Sequence, residues 1–270
     1  MSYAAEFSSF IETVLASSAE IALSHFGSVS TTQKGSDINQ VLTQADLEIG
    51  RHIIAAISQR FPQHNIIDEE AGVIDNQSSI TWVVDPIDGT SNFAAGLPTY
   101  GVMMGVMIDG EPVAGGISLP AFNQVYVAQQ GRGAFCNGEK VVVNPEQELS
   151  KMLIAYGIDG HRENPSKTVA EMNVLSSIIL NCRNIRTTNS AYDMVQIPAG
   201  RYGAYLNQST KVWDNVALQP LVEEAGGIVT DFWGVPLDYT HTLTNPEQNM
   251  TICVASPTLH AQLQTLIHSV

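Results

Sequence analysis

The chain of 270 residues is long enough to bury a large core, either as one big domain or as two closely packed lobes. Its 27 acidic residues outnumber the 12 basic ones, and the formal net charge is −15. This charge argues against binding to nucleic-acid phosphates or to anionic membranes. It is compatible with carboxylates gathered around divalent cations.

The cysteines and the N-terminus indicate the cellular compartment. Cys136, Cys182 and Cys253 are widely spaced and form no CxxC pair, so they predict small buried side chains and not a disulfide frame or a zinc site. No apolar run reaches membrane-spanning length, and residues 1–6 lack the basic start of a signal peptide. We therefore expect a cytoplasmic protein.

Apolar periodicity predicts a first lobe over residues 1–145, built of helices and then strands. Its predicted elements are helices over residues 4–26 and 43–61, strands over residues 65–67, 80–84, 100–108, 112–119 and 123–128, and a turn-rich hairpin over residues 131–140. Between the helices, residues 28–40 predict an exposed loop or a short hairpin. The pattern breaks near Pro145, where we place the lobe boundary.

Strands and helices alternate in the second lobe, residues 146–270, which favours an α/β arrangement with helices covering a sheet. The predicted strands cover residues 152–156, 184–186, 202–207, 228–231 and 250–255, and the predicted helices cover residues 166–180, 191–199, 212–224 and 257–268.

Two carboxylates follow the apolar strand over residues 80–84. Asp85 and Asp88 flank Pro86, which fixes its own φ and favours extended backbone at Asp85. We therefore expect both carboxylates to turn toward one point, where they repel unless a cation or a proton lies between them. A solvated Asp-Gly turn is the alternative, and this segment alone does not decide between the two.

Further acids occupy strand ends and helix starts elsewhere in the chain. Glu69 follows a predicted strand, Asp214 lies at a strand-to-helix turn, and Asp46 begins the second helix. Because Thr43 and Asp46 have the spacing of a capping box, a helix-start carboxylate is the alternative interpretation of Asp46. An all-oxygen set without His or Cys suits Mg²⁺ or Mn²⁺ and not zinc.

The small residues after Asp88 suit a phosphate ligand. The backbone N–H groups of Gly89 and Thr90, at a predicted helix start, would receive its oxygens. No GxSxG elbow, P-loop or GxGxxG fingerprint is present, so covalent serine chemistry and dinucleotide binding lose support. Acids around Mg²⁺ beside such a phosphate site predict metal-assisted phosphoryl transfer to water.

These segments resemble the inositol monophosphatase family. Residues 85–93, Asp-Pro-Ile-Asp-Gly-Thr-Ser-Asn-Phe, are similar to its DPIDGTxNF signature. Four other segments resemble family motifs, and they are residues 42–46, the pair Glu69 and Glu70, residues 131–138, and Trp213-Asp214 followed by residues 224–227. The similarity runs from about residue 34 to residue 227, with the motifs in the family's order.

The resemblance implies a fold and an activity. The fold is a five-layer α-β-α-β-α sandwich of the inositol monophosphatase and fructose-1,6-bisphosphatase type, and the assembly is a homodimer. The activity is Mg²⁺-dependent hydrolysis of a small phosphate monoester by in-line attack of metal-activated water, with inhibition by Li⁺. Neither nucleic acid nor a membrane is an expected partner.

The resemblance also assigns roles to individual residues. The implied metal ligands, for two or three Mg²⁺ ions that Mn²⁺ can replace, are Glu69, Asp85, Asp88, Asp214 and the backbone carbonyl of Ile87. Gly89 and Thr90 would bind phosphate. Thr90 and Asp46 would position the attacking water, and Glu70 would assist as an acid just outside the metal ligands.

Departures from the family pattern surround the leaving-group pocket, which the resemblance places at Asn189, Ser190, Ala191 and Asn207. Inositol-selective members usually have a glutamate where this chain has Asn207, and an amide bonds a hydroxyl more weakly than a carboxylate does. Asn189 replaces a usual glycine. Pro220 would kink its helix unless it lies in the first turn.

Several substrates therefore stay open. The Ala-Leu-x-Pro pattern at residues 217–220 is similar to the histidinol-phosphatase branch, so a histidinol-phosphate phosphatase is the main alternative. A fructose-1,6-bisphosphatase, a nucleotide 3′,5′-bisphosphate phosphatase and a non-catalytic regulatory protein on the same fold are further alternatives.

Overall fold

Helices and strands account for most of residues 7–27, 31–33 and 41–269, which are the residues that the computed structural model describes. The helices in these ranges are α1 Phe7–His25, α2 Gln44–Arg60, α3 Thr90–Ala94, α4 Pro165–Asn181, α5 Ala191–Val195, α6 Val212–Asn215, α7 Leu218–Glu224 and α8 Pro257–Ile267. The strands are β1 Thr31–Gln33, β2 Val41–Thr43, β3 Asn65–Asp68, β4 Gly72–Ile74, β5 Ile80–Asp88, β6 Gly101–Ile108, β7 Glu111–Leu119, β8 Gln124–Gln129, β9 Gly133–Cys136, β10 Glu139–Val141, β11 Leu153–Gly157, β12 Asn184–Arg186, β13 Ala204–Thr210, β14 Ile228–Thr230 and β15 Met250–Ala255.

The strands form two main sheets. The larger sheet has eight strands in the order β10-β9-β8-β7-β6-β5-β3-β4, and only its β3–β5 pair is parallel. The smaller sheet has five strands in the order β12-β11-β13-β15-β14, with β11 parallel to both of its neighbours. A separate antiparallel pair, β1–β2, precedes α2.

Helices cover both sheets and separate them. α1 and α2 pack on the outer face of the large sheet, α7 packs against β7 on one side and β14 on the other, and α4 and α8 cover the outer face of the small sheet. The layer order is α-β-α-β-α, as the resemblance implied. Among the described residues, no helix combines the length and the hydropathy that crossing a membrane requires.

The central strand β6 explains why this region of the sequence is continuously apolar. Val102 and Met104 belong to the core under α1 and α2, whereas Met103 belongs to the core between the two sheets. Because neighbouring side chains point to opposite faces and both faces are covered, residues 101–107 of the strand are all buried, and only its last residue, Ile108, is half-buried.

Gly115 on β7 lets the middle layer approach the large sheet closely. A Cβ at this position would lie 2.2 Å from the backbone oxygen of Ala217, at the junction of α6 and α7. The backbone of that junction therefore lies directly on the sheet, and this contact sets the position of α6, which carries Asp214.

Most predicted elements are confirmed, with small shifts at their ends, but four predictions need correction. The strand predicted over residues 80–84 continues to Asp88 as β5, and β4 was not predicted. The helix predicted over residues 191–199 is shorter and ends at Val195 as α5. The helix predicted over residues 212–224 is divided into α6 and α7. Pro220 is the third residue of α7, within the first turn, where its missing N–H does no harm.

Three further predictions concern the cysteines, the loop after α1 and the lobe boundary. Cys253 is buried as predicted, but Cys136 and Cys182 are only half-buried, because Cys136 lies in an edge hairpin and Cys182 directly after α4. Of the loop predicted over residues 28–40, residues 28–30 and 34–40 lie outside the described part, and residues 31–33 pair with β2. The lobe boundary near residue 145 stays a prediction.

Candidate metal and phosphate site

A bulge near the end of β5 brings Asp85 and Asp88 together. Asp85 pairs with Met103 and Asp88 with Gly101, so three steps along β5 match two along β6. The extra residue re-aims the side chains of the bulged strand, and Pro86 is tolerated there because a bulge leaves one backbone donor unpaired. Asp85 and Asp88 therefore turn toward one point, as predicted.

Asp214 joins these two carboxylates from the middle layer. It lies in the first turn of α6, and its Oδ2 accepts the backbone N–H of Lys211 at 2.6 Å. One carboxylate oxygen from each of Asp85, Asp88 and Asp214 lies within 4.8 Å of the others. No other group of three metal-ligating side chains is this close in the described part of the chain.

The three carboxylates are held at high electrostatic cost. Burial raises the pKa of Asp85 and of Asp214 well above the ordinary value, and the neighbouring carboxylates raise it further. Burial also raises the pKa of Asp88 to about 7, against the opposing effect of the Ala191 N–H bond. A bound cation would remove this cost because it favours the ionised forms.

A cation fits the donor set. The Oδ1 atom of Asp85 is buried and accepts no hydrogen bond, so it is free to coordinate a cation. The group consists of carboxylate oxygens without His or Cys, which suits a hard cation of the Mg²⁺ type.

Glu69 and Glu70 lie in the turn after β3, beside these carboxylates. Glu69 lies outside the group of three, but its charge raises the pKa of Asp85 and Asp88. The turn is fixed because Oδ1 of Asp68 accepts the backbone N–H of Glu70 at 2.9 Å, and the Glu69 N–H donates to Val84 O at 3.2 Å. The roles assigned to Glu69 and Glu70 stay predictions.

Asp46 combines its two interpretations. Its Oδ2 accepts the backbone N–H and the hydroxyl of Thr43, which completes the capping box of α2. Its Oδ1 lies 3.4 Å from the Thr90 hydroxyl, which also donates to the backbone oxygen of Ile87 at 2.8 Å. Asp46 thus caps α2 and faces the candidate phosphate site at once. Burial raises its pKa, although the bonds from Thr43 oppose that shift.

Gly89 connects β5 to α3 in a conformation and a space that both require glycine. Its φ is 89°, in the left-handed region, and a Cβ would lie 2.7 Å from the Cβ of Ser190. Thr90 begins α3 directly after it. Of the predicted leaving-group residues, Ser190 and Ala191 therefore lie beside the signature, and the Ala191 N–H donates to Oδ1 of Asp88.

Asn207 is buried in a polar network. Its Nδ2 donates to the hydroxyl of Tyr205 at 3.1 Å and lies 3.5 Å from Oδ1 of Asn189, while its Oδ1 accepts the backbone N–H of Ser209 at 2.8 Å. Asn189 is exposed and donates to Asp159 at 3.1 Å. The structure brings Asn189 and Asn207 together, and their contact with a substrate stays a prediction.

Two residues that hold the loop between β12 and α5 were not singled out from the sequence. Asn92, inside the signature, donates through Nδ2 to the backbone oxygens of Thr99 and Thr188, both at 2.8 Å. Asp193, in the first turn of α5, accepts two N–H groups of the same loop. An acid within an otherwise apolar run was the only available signal for Asp193.

A layered α/β sandwich with a cluster of three carboxylates, two of them buried, defines a class of candidate metal-binding proteins, and comparison with known proteins identifies the family. The chain matches the Inositol monophosphatase family over residues 4–268. It is 34% identical over 208 residues to the protein named Nus factor SuhB of Vibrio cholerae, covering 76% of each chain. The chain therefore belongs to the inositol monophosphatase family.

Two further relatives carry the phosphatase name. Inositol monophosphatase 1 of Bos taurus is 28% identical over 217 residues, which is 78% of each chain. The solved structure of an IMPase from Thermotoga maritima superposes with a TM-score of 0.83 at 27% identity, covering 97% of this chain and 96% of that one. The layered fold is thus common to this chain and to solved members of the family.

Proposed function

We propose that the protein is a Mg²⁺-dependent phosphomonoesterase that hydrolyses a small phosphorylated metabolite. The observation that carries the proposal is the cluster of Asp85, Asp88 and Asp214, with its unpartnered buried oxygen on Asp85. These three side chains, with Glu69 and the backbone oxygen of Ile87, would hold the cations. When bound, the cations neutralise phosphate charge and lower the pKa of a water molecule.

The residues beside the cluster supply binding and orientation. The backbone N–H groups of Gly89 and Thr90 would bind phosphate oxygens at the start of α3. The Thr90 hydroxyl and Oδ1 of Asp46 would hold the attacking water, since the hydroxyl donates to Oδ1 at 3.4 Å and both oxygens can accept a bond from water. The water would then attack phosphorus in line with the leaving alcohol, without a phosphoenzyme. Asp46 would take the proton of the water, the P–O bond to the alcohol would break, and the departing oxygen would gain a proton from solvent, with Glu70 assisting from the adjacent turn.

The leaving alcohol would lie near Asn189, Ser190, Ala191 and Asn207. Because position 207 offers a neutral amide already bonded to protein groups, we propose weak discrimination among polyol, sugar and amino-alcohol phosphates. A histidinol-phosphate phosphatase is the second candidate, and it is favoured by the Ala-Leu-x-Pro sequence that runs from the N-cap residue Ala217 into the first turn of α7.

A phosphate-release screen tests this proposal. The purified protein is assayed on a panel of phosphorylated metabolites in Mg²⁺, in Mn²⁺, in Mg²⁺ with added Li⁺, and in chelator. We expect release from several monoesters in either divalent cation, inhibition by Li⁺, and none in chelator. Absence of metal-dependent release from every monoester would favour a non-catalytic role. A strong preference for inositol 1-phosphate over histidinol phosphate would contradict weak discrimination.

The proposed partners are the phosphate monoester and a second copy of the chain, but not nucleic acid or a membrane. One relative is named a Nus factor, which makes nucleic-acid binding worth testing here. The formal net charge of −15 argues against it. A gel-shift assay with RNA should show no complex at low salt, and sedimentation should give the mass of a dimer.

A further inference from the structure

A loop between β12 and α5 contacts the signature segment directly. The Ala191 N–H donates to Oδ1 of Asp88, and the Cβ of Ser190 occupies the space that a side chain at Gly89 would need. The loop therefore determines how one oxygen of Asp88 is held.

Two side chains fix the backbone of this loop, one by accepting its N–H groups and one by donating to a backbone oxygen. Oδ2 of Asp193 accepts the N–H groups of Thr188 and Asn189, at 2.7 and 3.1 Å. Nδ2 of Asn92 donates to the backbone oxygen of Thr188 at 2.8 Å. Asn189 has a φ of 53°, a conformation that costs energy for a non-glycine residue and needs such contacts to hold it.

Burying the carboxylate of Asp193 costs more folding free energy than a purely structural role would explain. Asp193 is fully buried, and its Oδ1 accepts no hydrogen bond. A buried carboxylate oxygen without a partner is destabilising. Its compensating advantage is that a charged acceptor makes stronger and shorter bonds to the two N–H groups of the loop.

We propose that Asp193 is a positioning residue for the candidate cation site, which it serves by fixing the loop that orients Asp88. With one oxygen of Asp88 held by the Ala191 N–H, the direction of its carboxylate toward Asp85 and Asp214 is set before a cation binds. Partners outside the ligand set orient ligands in this way at many metal sites. The inference rests on the proposed function in that Asp88 is taken to be a cation ligand.

Mn²⁺ binding to the full chain without substrate tests the inference, with free Mn²⁺ measured by electron paramagnetic resonance. Asp193→Ala releases the loop and should weaken Mn²⁺ binding by about tenfold or more, as loss of an orienting partner does elsewhere. Asp193→Asn keeps one carbonyl oxygen for both N–H groups and should bind Mn²⁺ within about threefold of wild type, since the loop stays in place.

Asp231→Ala is the matched control. Oδ1 of Asp231 also accepts two backbone N–H groups, those of Trp233 and Val235 at 2.9 and 2.7 Å, in a loop that follows β14. This variant should lower the thermal midpoint and leave Mn²⁺ affinity unchanged. If Asp193→Ala does not fold, Asn92→Ala provides the second measurement. This variant removes the hydrogen bond to the backbone oxygen of Thr188 and should also weaken Mn²⁺ binding.

Wild-type Mn²⁺ affinity in folded Asp193→Ala, or in Asn92→Ala, would overturn the inference. A loss in Asp193→Asn as large as that in Asp193→Ala would overturn it too, because charge and not loop position would then control binding. A different result would contradict the proposed function and not the positioning role. Mn²⁺ binding that depends on Asp193, without phosphate release from any monoester, would contradict the phosphatase and leave the positioning role standing.

Discussion

Asp88 illustrates how a single residue is held in this site. Its carboxylate is buried, the Ala191 N–H holds one oxygen, and burial with the charges of Glu69 and Asp193 raises its pKa to about 7. Burial and neighbouring charges also raise the pKa of Asp85 and Asp214. In the absence of a counter-ion the ionised cluster opposes folding.

The stability of the metal-free protein should therefore fall with rising pH. A carboxyl group with a raised pKa binds its proton more tightly in the folded state. Its contribution to stability is complete below the ordinary value of 3.8 and is lost as pH rises to about 7 for Asp88. One such group changes the free energy of unfolding by at most about 1.4 kcal/mol per pH unit.

Urea denaturation at a series of pH values measures this dependence, once in chelator and once in excess Mg²⁺. Mg²⁺ should flatten the decline, because it binds the ionised carboxylates of the folded state. Asp88→Asn should make the decline in chelator shallower. An identical pH dependence with and without Mg²⁺ would count against a cation site.

Asp46→Asn separates helix capping from catalysis. The amide oxygen can still accept the Thr43 N–H, so we expect the free energy of unfolding to change by less than about 1 kcal/mol. The amide cannot take up a proton from a water held by Thr90, so kcat should fall by about a hundredfold or more. The measurements are kcat and a urea denaturation curve, and unchanged kcat would leave Asp46 with the capping role alone.

At the scale of elements, short-range patterns predicted most helices and strands. The proximity of Asp85 and Asp88 in the 85–93 signature was also predictable, because the two residues are close in sequence and a single bulge brings their side chains together. β4 was missed because it has only three residues, all exposed, and its position depends on pairing with β3. The contact of Asn92 with Thr188 and that of Asn207 with Asn189 join residues that are distant in the chain, which no local pattern reports.

Gly115→Ala tests the contact between β7 and the middle layer. A Cβ would meet the backbone oxygen of Ala217 at 2.2 Å, and this oxygen cannot move without displacing α6 and α7. We expect a loss of about 1–3 kcal/mol in the free energy of unfolding, the usual cost of overpacking. Weaker Mg²⁺ activation should accompany it, because α6 carries Asp214.

Gly160→Ala is the control for this substitution, since a Cβ there meets nothing within 4 Å. Its unfolding free energy should stay within about 0.5 kcal/mol of wild type, as for most surface changes. Equal stability of the Gly115→Ala and Gly160→Ala variants would contradict the close approach.

At the scale of the whole molecule, the two sheets share the middle helical layer. The core between the sheets combines Met103, Ile117 and Tyr126 of the large sheet with Leu218 and Val254 from beyond residue 145. The candidate site is divided in the same way, because Asp85 and Asp88 come from β5 and Asp214 from α6. Folding of the two halves is therefore expected to be coupled.

A fragment of residues 1–145 should not fold alone. Its inner sheet face, which α7 covers in the full chain, would be exposed as a large apolar patch. We expect strong binding of an apolar dye and no cooperative thermal transition, whereas the full chain should unfold in one transition. A cooperative transition in the fragment would instead support an independent first lobe.

The most direct test of the proposed phosphatase is Mg²⁺-dependent phosphate release by wild type and by Asp85→Asn, assayed side by side on one monoester. Asp85 contributes the unpartnered buried oxygen of the cluster, so the amide should keep the fold, raise the thermal midpoint in chelator and remove a cation ligand. Loss of several kcal/mol of transition-state stabilisation corresponds to a fall in kcat of about a thousandfold or more. Full Mg²⁺-dependent activity in folded Asp85→Asn would contradict the assignment of the site.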